Sequence, residues 1–145
     1  MRRIGIMMLA LGSLLGGTVA TAAPAQAVPQ SVCNINIGGY AGQYICEYGV
    51  TRLDGQGTQI FEGRKHYFVV GTDYAVWQIW ETSPNSGRYS GWYTLFGVAR
   101  SGVRASVWDG GRTLNIIVLG TDSRYHCNTY NSPRIRSAWT GWEVC

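Results

Sequence analysis

His66-Tyr67-Phe68-Val69-Val70-Gly71-Thr72-Asp73-Tyr74-Ala75-Val76-Trp77 is echoed 49 residues later by Asn115-Ile116-Ile117-Val118-Leu119-Gly120-Thr121-Asp122-Ser123-Arg124-Tyr125-His126. Each copy is an apolar run, a Gly-Thr-Asp corner, then an alternating aromatic run. Downstream, Ser83-Pro84 returns as Ser132-Pro133, and Ser90-Gly91-Trp92 returns one residue late as Thr140-Gly141-Trp142. A fixed period built from short apolar runs is the signature of a repeated supersecondary unit. Such units more often make concave, ring-lined ligand surfaces than catalytic centres.

Outward from the repeat, the chain reads as strands. His66 to Val70, Tyr74 to Glu81, Trp92 to Val98, Val103 to Trp108, Leu114 to Leu119, Arg124 to Tyr130 and Ala138 to Val144 are apolar or alternating. In the second run, Trp77, Ile79 and Glu81 share one face, while Val76, Gln78 and Trp80 share the other. Pro84-Asn85-Ser86-Gly87, Asp109-Gly110-Gly111 and the Gly-Thr-Asp corners separate the runs, and these residue types make turns. No stretch keeps helical spacing. The expected fold is all-β and antiparallel, with repeat units at about 63–110 and 111–145. A partial unit at 33–62 rests on an ungapped match of Asn34 to Gly39 and Gln43 to Cys46 with Asn115 to Gly120 and Arg124 to Cys127.

Residues 1–27 are expected to be a secretory signal peptide. Arg2-Arg3 is the positive region, Ile4 to Leu15 the apolar stretch, and Ala25-Gln26-Ala27 the small-residue cleavage site. A cut after Ala20-Thr21-Ala22 is the alternative, and the flanks favour general secretion over twin-arginine export. The remaining 118 residues (145 − 27), numbered 28–145, suit one domain. They hold no second run near the roughly 18 apolar residues that span a bilayer. Removing Arg2 and Arg3 lowers the formal charge from +4 to +2 (4 − 2), and the other basic residues are scattered apart from Arg64-Lys65 and the Arg134/Arg136 pair. No basic stripe points to nucleic acid, so neither nucleic acid nor membrane is an expected partner.

Cys33, Cys46, Cys127 and Cys145 all lie in the exported part and read as two disulfides. Cys33–Cys46 with Cys127–Cys145 is the expected pairing, because each bridge staples neighbouring strands. Cys33–Cys145 is the rival. No CxxC spacing occurs and His66 and His126 stand apart from the cysteines, so no metal or cofactor is expected.

Six tryptophans and nine tyrosines stand out in so short a chain; such large rings bury well, and a core role is one reading of them. Exported sugar-binding proteins stack the C–H face of a pyranose on such rings and bond its hydroxyls to nearby polar groups. Trp77, Trp80, Arg88, Tyr89 and Trp92 are the densest group, and Trp139 and Trp142 repeat part of it. Asp73 and Asp122 read as turn residues capping the backbone. A paired glycosidase role fails because repeat-related carboxylates stand a unit apart. His66 and His126 each sit alone in a half-buried run. A small secreted nuclease would need two histidines, or a Glu/His/Arg set, as acid and base. No nucleophile elbow is present, and no catalytic residue is assigned.

Phe68-Val69-Val70-Gly71-Thr72-Asp73-Tyr74-Ala75-Val76-Trp77-Gln78-Ile79-Trp80-Glu81-Thr82-Ser83-Pro84, followed by Ser90-Gly91-Trp92 and Leu95-Phe96-Gly97-Val98, resembles the blade repeat of tectonin-like and fucose-binding bacterial β-propeller lectins. Asp109 to Trp142 looks like a degenerate copy. The resemblance covers roughly residues 63 to 142, about two blades. It implies four-stranded antiparallel blades, sugar sites in the clefts between blades, and no metal or cofactor. Thr129 stands where the first unit has Trp80, and the family's repeats do not usually carry Cys127 and Cys145. A closed propeller needs roughly four or more blades, so two would leave faces and edges unpaired. Copies of the chain closing a ring as a homo-oligomer, a secreted partner protein, or an N-terminal segment folding back into a compact sandwich or small barrel would each cover them.

The expected function is a secreted, non-enzymatic, lectin-like carbohydrate-binding protein whose partner is a glycan or glycoprotein. Its expected ligand-binding residues are Trp77, Trp80, Arg88, Tyr89, Trp92, Trp139 and Trp142. The alternative is a secreted protein-interaction module, such as an adaptor, toxin component or inhibitor, on the same scaffold. A small hydrolase or nuclease ranks third.

Overall fold

A computed structural model of the protein describes residues 30–132 and 139–145. The signal segment expected at 1–27, Pro133 and the Arg134/Arg136 pair lie outside the described residues. The fold is all-β and antiparallel, and among the described residues helical structure is limited to single 3-10 turns at Cys46–Tyr48 and Asp109–Gly111. A hairpin joins β1 (Val32–Ile37) to β2 (Tyr40–Ile45). Sheet one is a meander of β3 (Thr51–Leu53), β4 (His66–Val70), β5 (Val76–Trp80) and β6 (Tyr93–Phe96). Sheet two repeats that layout with β7 (Arg104–Trp108), β8 (Thr113–Leu119), β9 (Tyr125–Asn131) and β10 (Glu143–Val144). Neither sheet closes on itself, so the small barrel does not form among the described residues.

The repeat is kept in register. Val70 pairs with Val76 around the first Gly-Thr-Asp corner, and Leu119 pairs with Tyr125 around the second. The bridge Glu81–Tyr89 recurs as Tyr130–Trp139. The units begin at β3 and β7 rather than near residues 63 and 111, because β7 joins the second sheet. The periodicity misses these first strands because their links to the next strand differ: residues 54–65 in sheet one, 109–112 in sheet two.

Burial separates the two sheets. On β4, Phe68, Val69 and Val70 are all buried, so both faces of sheet one are covered. One face meets sheet two: Phe68, Val70, Val76 and Leu95 share a core with Leu114, Ile116 and Val118. The other face carries Val69 and Trp77 toward Ile35, Ala41 and Gly42 of the hairpin. On β8 burial strictly alternates, with Leu114, Ile116 and Val118 inward and the residues between them half-buried. Sheet two is covered on one face by sheet one.

The N-terminal hairpin needs a different alignment from the ungapped one. Its turn is Gly38-Gly39 alone, whereas β8 and β9 are joined by five residues, Gly120 to Arg124, so both strands cannot match at once. The contacts place the hairpin against sheet one as β6 stands against sheet two. The Trp92 indole N–H donates to the Tyr40 carbonyl at 3.2 Å, and the Trp142 indole N–H donates to the Leu95 carbonyl at 2.8 Å. Two residues beyond each acceptor, Gly42 and Gly97 lie under the indole nitrogen.

Both disulfides form as expected, Cys33–Cys46 across the hairpin and Cys127–Cys145 between β9 and the end of the chain described. Such bridges fit an oxidising compartment. No helix among the described residues is long and apolar enough to cross a membrane.

Candidate functional site

Each Gly-Thr-Asp corner builds the floor of a cleft between neighbouring units. Asp73 accepts the Ala75 backbone N–H at 3.1 Å, and Asp122 accepts that of Arg124 at 3.1 Å. These are the turn caps expected from sequence. Each carboxylate also holds the ring four residues on. The Trp77 indole N–H donates to Asp73 Oδ1 at 3.1 Å, and His126 Nε2 lies 3.0 Å from Asp122 Oδ1. The hydrogen bond to His126, followed by the Arg124 N–H, holds the Asp122 carboxyl below its ordinary value.

The far wall of each cleft comes from the Ser-Gly-Trp or Thr-Gly-Trp segment. Ser90 Oγ accepts the Trp80 backbone N–H at 3.2 Å, and Thr140 Oγ1 accepts that of Thr129 at 3.1 Å. The hydroxyl fixes the segment to the edge of its sheet, and the following tryptophan then reaches across to the preceding unit. Cleft one, about 360 Å³, is lined by Ile35, Gly42, Val69, Thr72, Asp73, Trp77 and Trp92. Cleft two, about 410 Å³, is lined by Gly97, Val98, Thr121, Asp122, His126 and Trp142. The second replaces the Trp77 indole with the His126 imidazole.

The seven ligand-binding residues expected from sequence do not form one platform. Trp77 and Trp92 meet in cleft one, and Trp142 stands in cleft two. Trp80 and Trp139 line a third cavity, between the sheets, with Phe61, His66, Gln78, Tyr93 and Tyr130. Arg88 and Tyr89 border a shallow depression beside Gly38 and Tyr40 of the hairpin. Alternation along β5 separates Trp77 from Trp80, because successive side chains of a strand point to opposite faces. Thr72 and Thr121, not assigned as ligand residues from sequence, line the corresponding clefts; their recurrence was the available signal.

The acid–base sets weighed for a nuclease are also sorted by the fold. His66 and His126 line different cavities. Glu62, Arg64 and His66 do share the cavity between the sheets, and Arg64 is ion-paired with Glu62. Burial, then the Arg64 charge, pushes the His66 imidazole down to about 4, with the Phe61 backbone acting weakly the other way. At 4 % exposed, the imidazole favours its neutral form near neutral pH. Compared with protein-family models the chain matches none, and no curated protein matches it.

Proposed function

We propose that the protein is an exported, non-enzymatic carbohydrate-binding protein that takes glycans in the two clefts between its units. The observation that carries this reading is the duplication of a whole cleft. Corner carboxylate, adjacent threonine, ring at the fourth position and cross-unit indole all recur, although the sequence between them has diverged. The indole of each cleft also ties neighbouring units, but the exposed corner carboxylate and threonine add no buried volume to the core.

The chemistry of cleft one suits a neutral sugar. Trp77 and Trp92 are half-buried and offer ring surface to a pyranose C–H face. The Asp73 carboxylate has about four acceptor positions and the described contacts leave room for a ligand hydroxyl. This agrees with the resemblance to tectonin-like and fucose-binding propeller lectins, in which sugars sit between blades. Cleft two, with His126 in place of the indole, is the weaker site of the pair. A glycan array probed with the wild type and with Trp77→Ala tests the proposal. Binding to a defined glycan set that the substitution abolishes is expected, and a wild type that binds no glycan would contradict it.

A second reading, a protein-interaction module, is favoured by one surface feature. Tyr74 and Phe96 are exposed and hold left-handed backbone (φ 63 and 59), and exposed Val98 adjoins them in the chain beyond Phe96. Bulky residues rarely tolerate that conformation, and such strain gathers at functional surfaces. Phe96→Ser separates the readings: capture of a protein from native culture supernatant that this change removes, with glycan binding absent, would favour the module.

A further inference from the structure

The repeat leaves one of its own packing faces open. Phe68, Val70 and Val76 of sheet one are fully buried in the core shared with sheet two. At the repeat offset of 49 residues, the same places in sheet two hold Ile117, Leu119 and Tyr125. Among the described residues no third sheet meets them. Ile117 and Leu119 are half-buried, and Tyr125 is 51 % exposed. The face by which one unit packs on the next therefore recurs, still apolar, on the outside of the second unit.

Cross-strand register arranges this face in rows, because residues directly opposite in an antiparallel pair share a face. One row runs Arg104, Ile117, Cys127, Glu143 across β7, β8, β9 and β10. The row nearer the Gly-Thr-Asp corner sets Leu119 beside Tyr125, and the row on the other side sets Asn115 beside Thr129. Ala105 packs against the core, so its neighbour Arg104 points outward by alternation. The two ends of the first row carry opposite charges. Both are exposed, and among the described residues neither is ion-paired within the chain.

Opposite charges at the ends of one row make the face complementary to itself. A two-fold axis parallel to the strands, between β8 and β9, lays β7 of one copy over β10 of the other. Each row then falls on itself: Arg104 of one copy meets Glu143 of the other, Leu119 meets Tyr125, and each contact occurs twice. Stacked sheets cross at only about 30°, which keeps the central rows matched. The rival is a head-to-tail contact with the outer face of another copy's hairpin. It would set apolar rows against exposed Asn34 and Asn36, which alternate with the Ile35 of cleft one, and so would desolvate amides without offering them partners. Four strands about 4.8 Å apart and four rows about 7 Å apart cover roughly 500 Å² per copy, a size that suits a reversible dimer.

We propose that the outer face of sheet two is a self-association surface. Through it two copies of the chain form a two-fold dimer, held by Ile117, Leu119 and Tyr125 and registered by Arg104–Glu143 pairs. The interface does not depend on the carbohydrate reading. His126 of cleft two stands opposite Val118, on the inner side of β9, so the cleft is not part of the contact. Dimerisation therefore doubles the number of clefts that one assembly presents, which raises avidity for a ligand displayed in many copies.

Sedimentation equilibrium of the exported chain, from about 1 μM to about 1 mM, is the test. A concentration-dependent dimer is the expected result. Arg104→Glu and Glu143→Arg should each weaken it at least about tenfold, by setting like charges against each other. Both positions are exposed, so neither change disturbs the core. An equimolar mixture of the two variants should regain the affinity of the wild type, because each then supplies the charge that the other lacks. Tyr125→Ser, which removes apolar contact and no charge, should weaken the wild-type dimer and should not be rescued by mixing with either charge variant. A monomer at the highest concentration, a trimer or larger ring, a dimer indifferent to either charge change, or a mixture no tighter than its separate components would overturn the inference.

Discussion

A methyl group added at Gly71 would lie 2.6 Å from Asp73 Oδ1 and 2.8 Å from Trp77 Nε1. At Gly120 it would lie 2.7 Å from His126 Cδ2 and 2.9 Å from Asp122 Oδ1. Neither glycine is needed for a left-handed backbone; each is there because a carboxylate and a ring close over it. Gly71→Ala should therefore cost about 1–3 kcal/mol through forced displacement of that pair, read as a lower urea midpoint. Glu81 makes a different residue-scale prediction. It is fully buried, and its carboxylate gathers the backbone N–H groups of Gly87 (2.8 Å), Asn85 (3.2 Å) and Lys65 (3.4 Å). Burial pushes its carboxyl up; the N–H groups and the Lys65 charge outweigh this and hold it below the ordinary value. Its stabilising contribution is thus present above the unfolded value of about 4.3 and is lost as pH falls through the lower folded one. Glu81→Gln should destabilise by roughly 1–3 kcal/mol at neutral pH, and the gap to wild type should close in acid. His66, neutral and buried, has the same sign. Its stabilisation is complete above about pH 6.5 and is lost between there and about pH 4, by roughly 3 kcal/mol in all. Urea midpoints measured from pH 7 to pH 4 should fall more steeply for wild type than for His66→Leu.

The elements show what the sequence could and could not disclose. Runs such as His66 to Val70 and Leu114 to Leu119 were legible as strands because short apolar runs bounded by turn residues mark them, although the continuous Ile116 to Leu119 does not disclose that β8 is fully buried on one face alone. The bulk of each strand pair around the Gly-Thr-Asp corners was legible because the turn chemistry recurs with them. β3 was not, being three residues followed by a long link whose length differs from its counterpart in sheet two. Of the stretch expected as one strand from Ala138 to Val144, the described residues 139–144 contribute only a bridge at Trp139 and the two residues of β10, because Thr140 and Gly141 turn to present Trp142. The hairpin was found but aligned on the wrong strands, since matching Asn, Ile and Tyr residues outweighed a turn length that identity counting ignores. Which tryptophans meet was not legible at all: Trp80 and Trp139 come together across two sheets, and no spacing rule encodes that packing. At this scale, Trp142 ties the second sheet to the first, packing against the core and bonding Leu95. Trp142→Ala should cost about 2–4 kcal/mol, whereas Trp92→Ala should chiefly raise amide exchange in β1 and β2.

For the molecule as a whole, the central claim is that open clefts between repeated units, and not any acid–base centre, are where it acts. Two disulfides, spanning 13 and 18 residues, fasten the hairpin and the last strand that flank those units. Each bridge lies within one unit and stiffens a cleft wall, while the core shared by Ile45, Phe68 and Leu114 holds the units together before any ligand arrives, which lowers the ordering cost of binding. The most direct test is a titration of ¹⁵N-labelled protein with the glycans selected by an array, following the assigned indole N–H resonances. Saturable shifts at Trp77 and Trp92, with smaller ones at Trp142, are the predicted result. Indole resonances that stay fixed at millimolar glycan would contradict the claim.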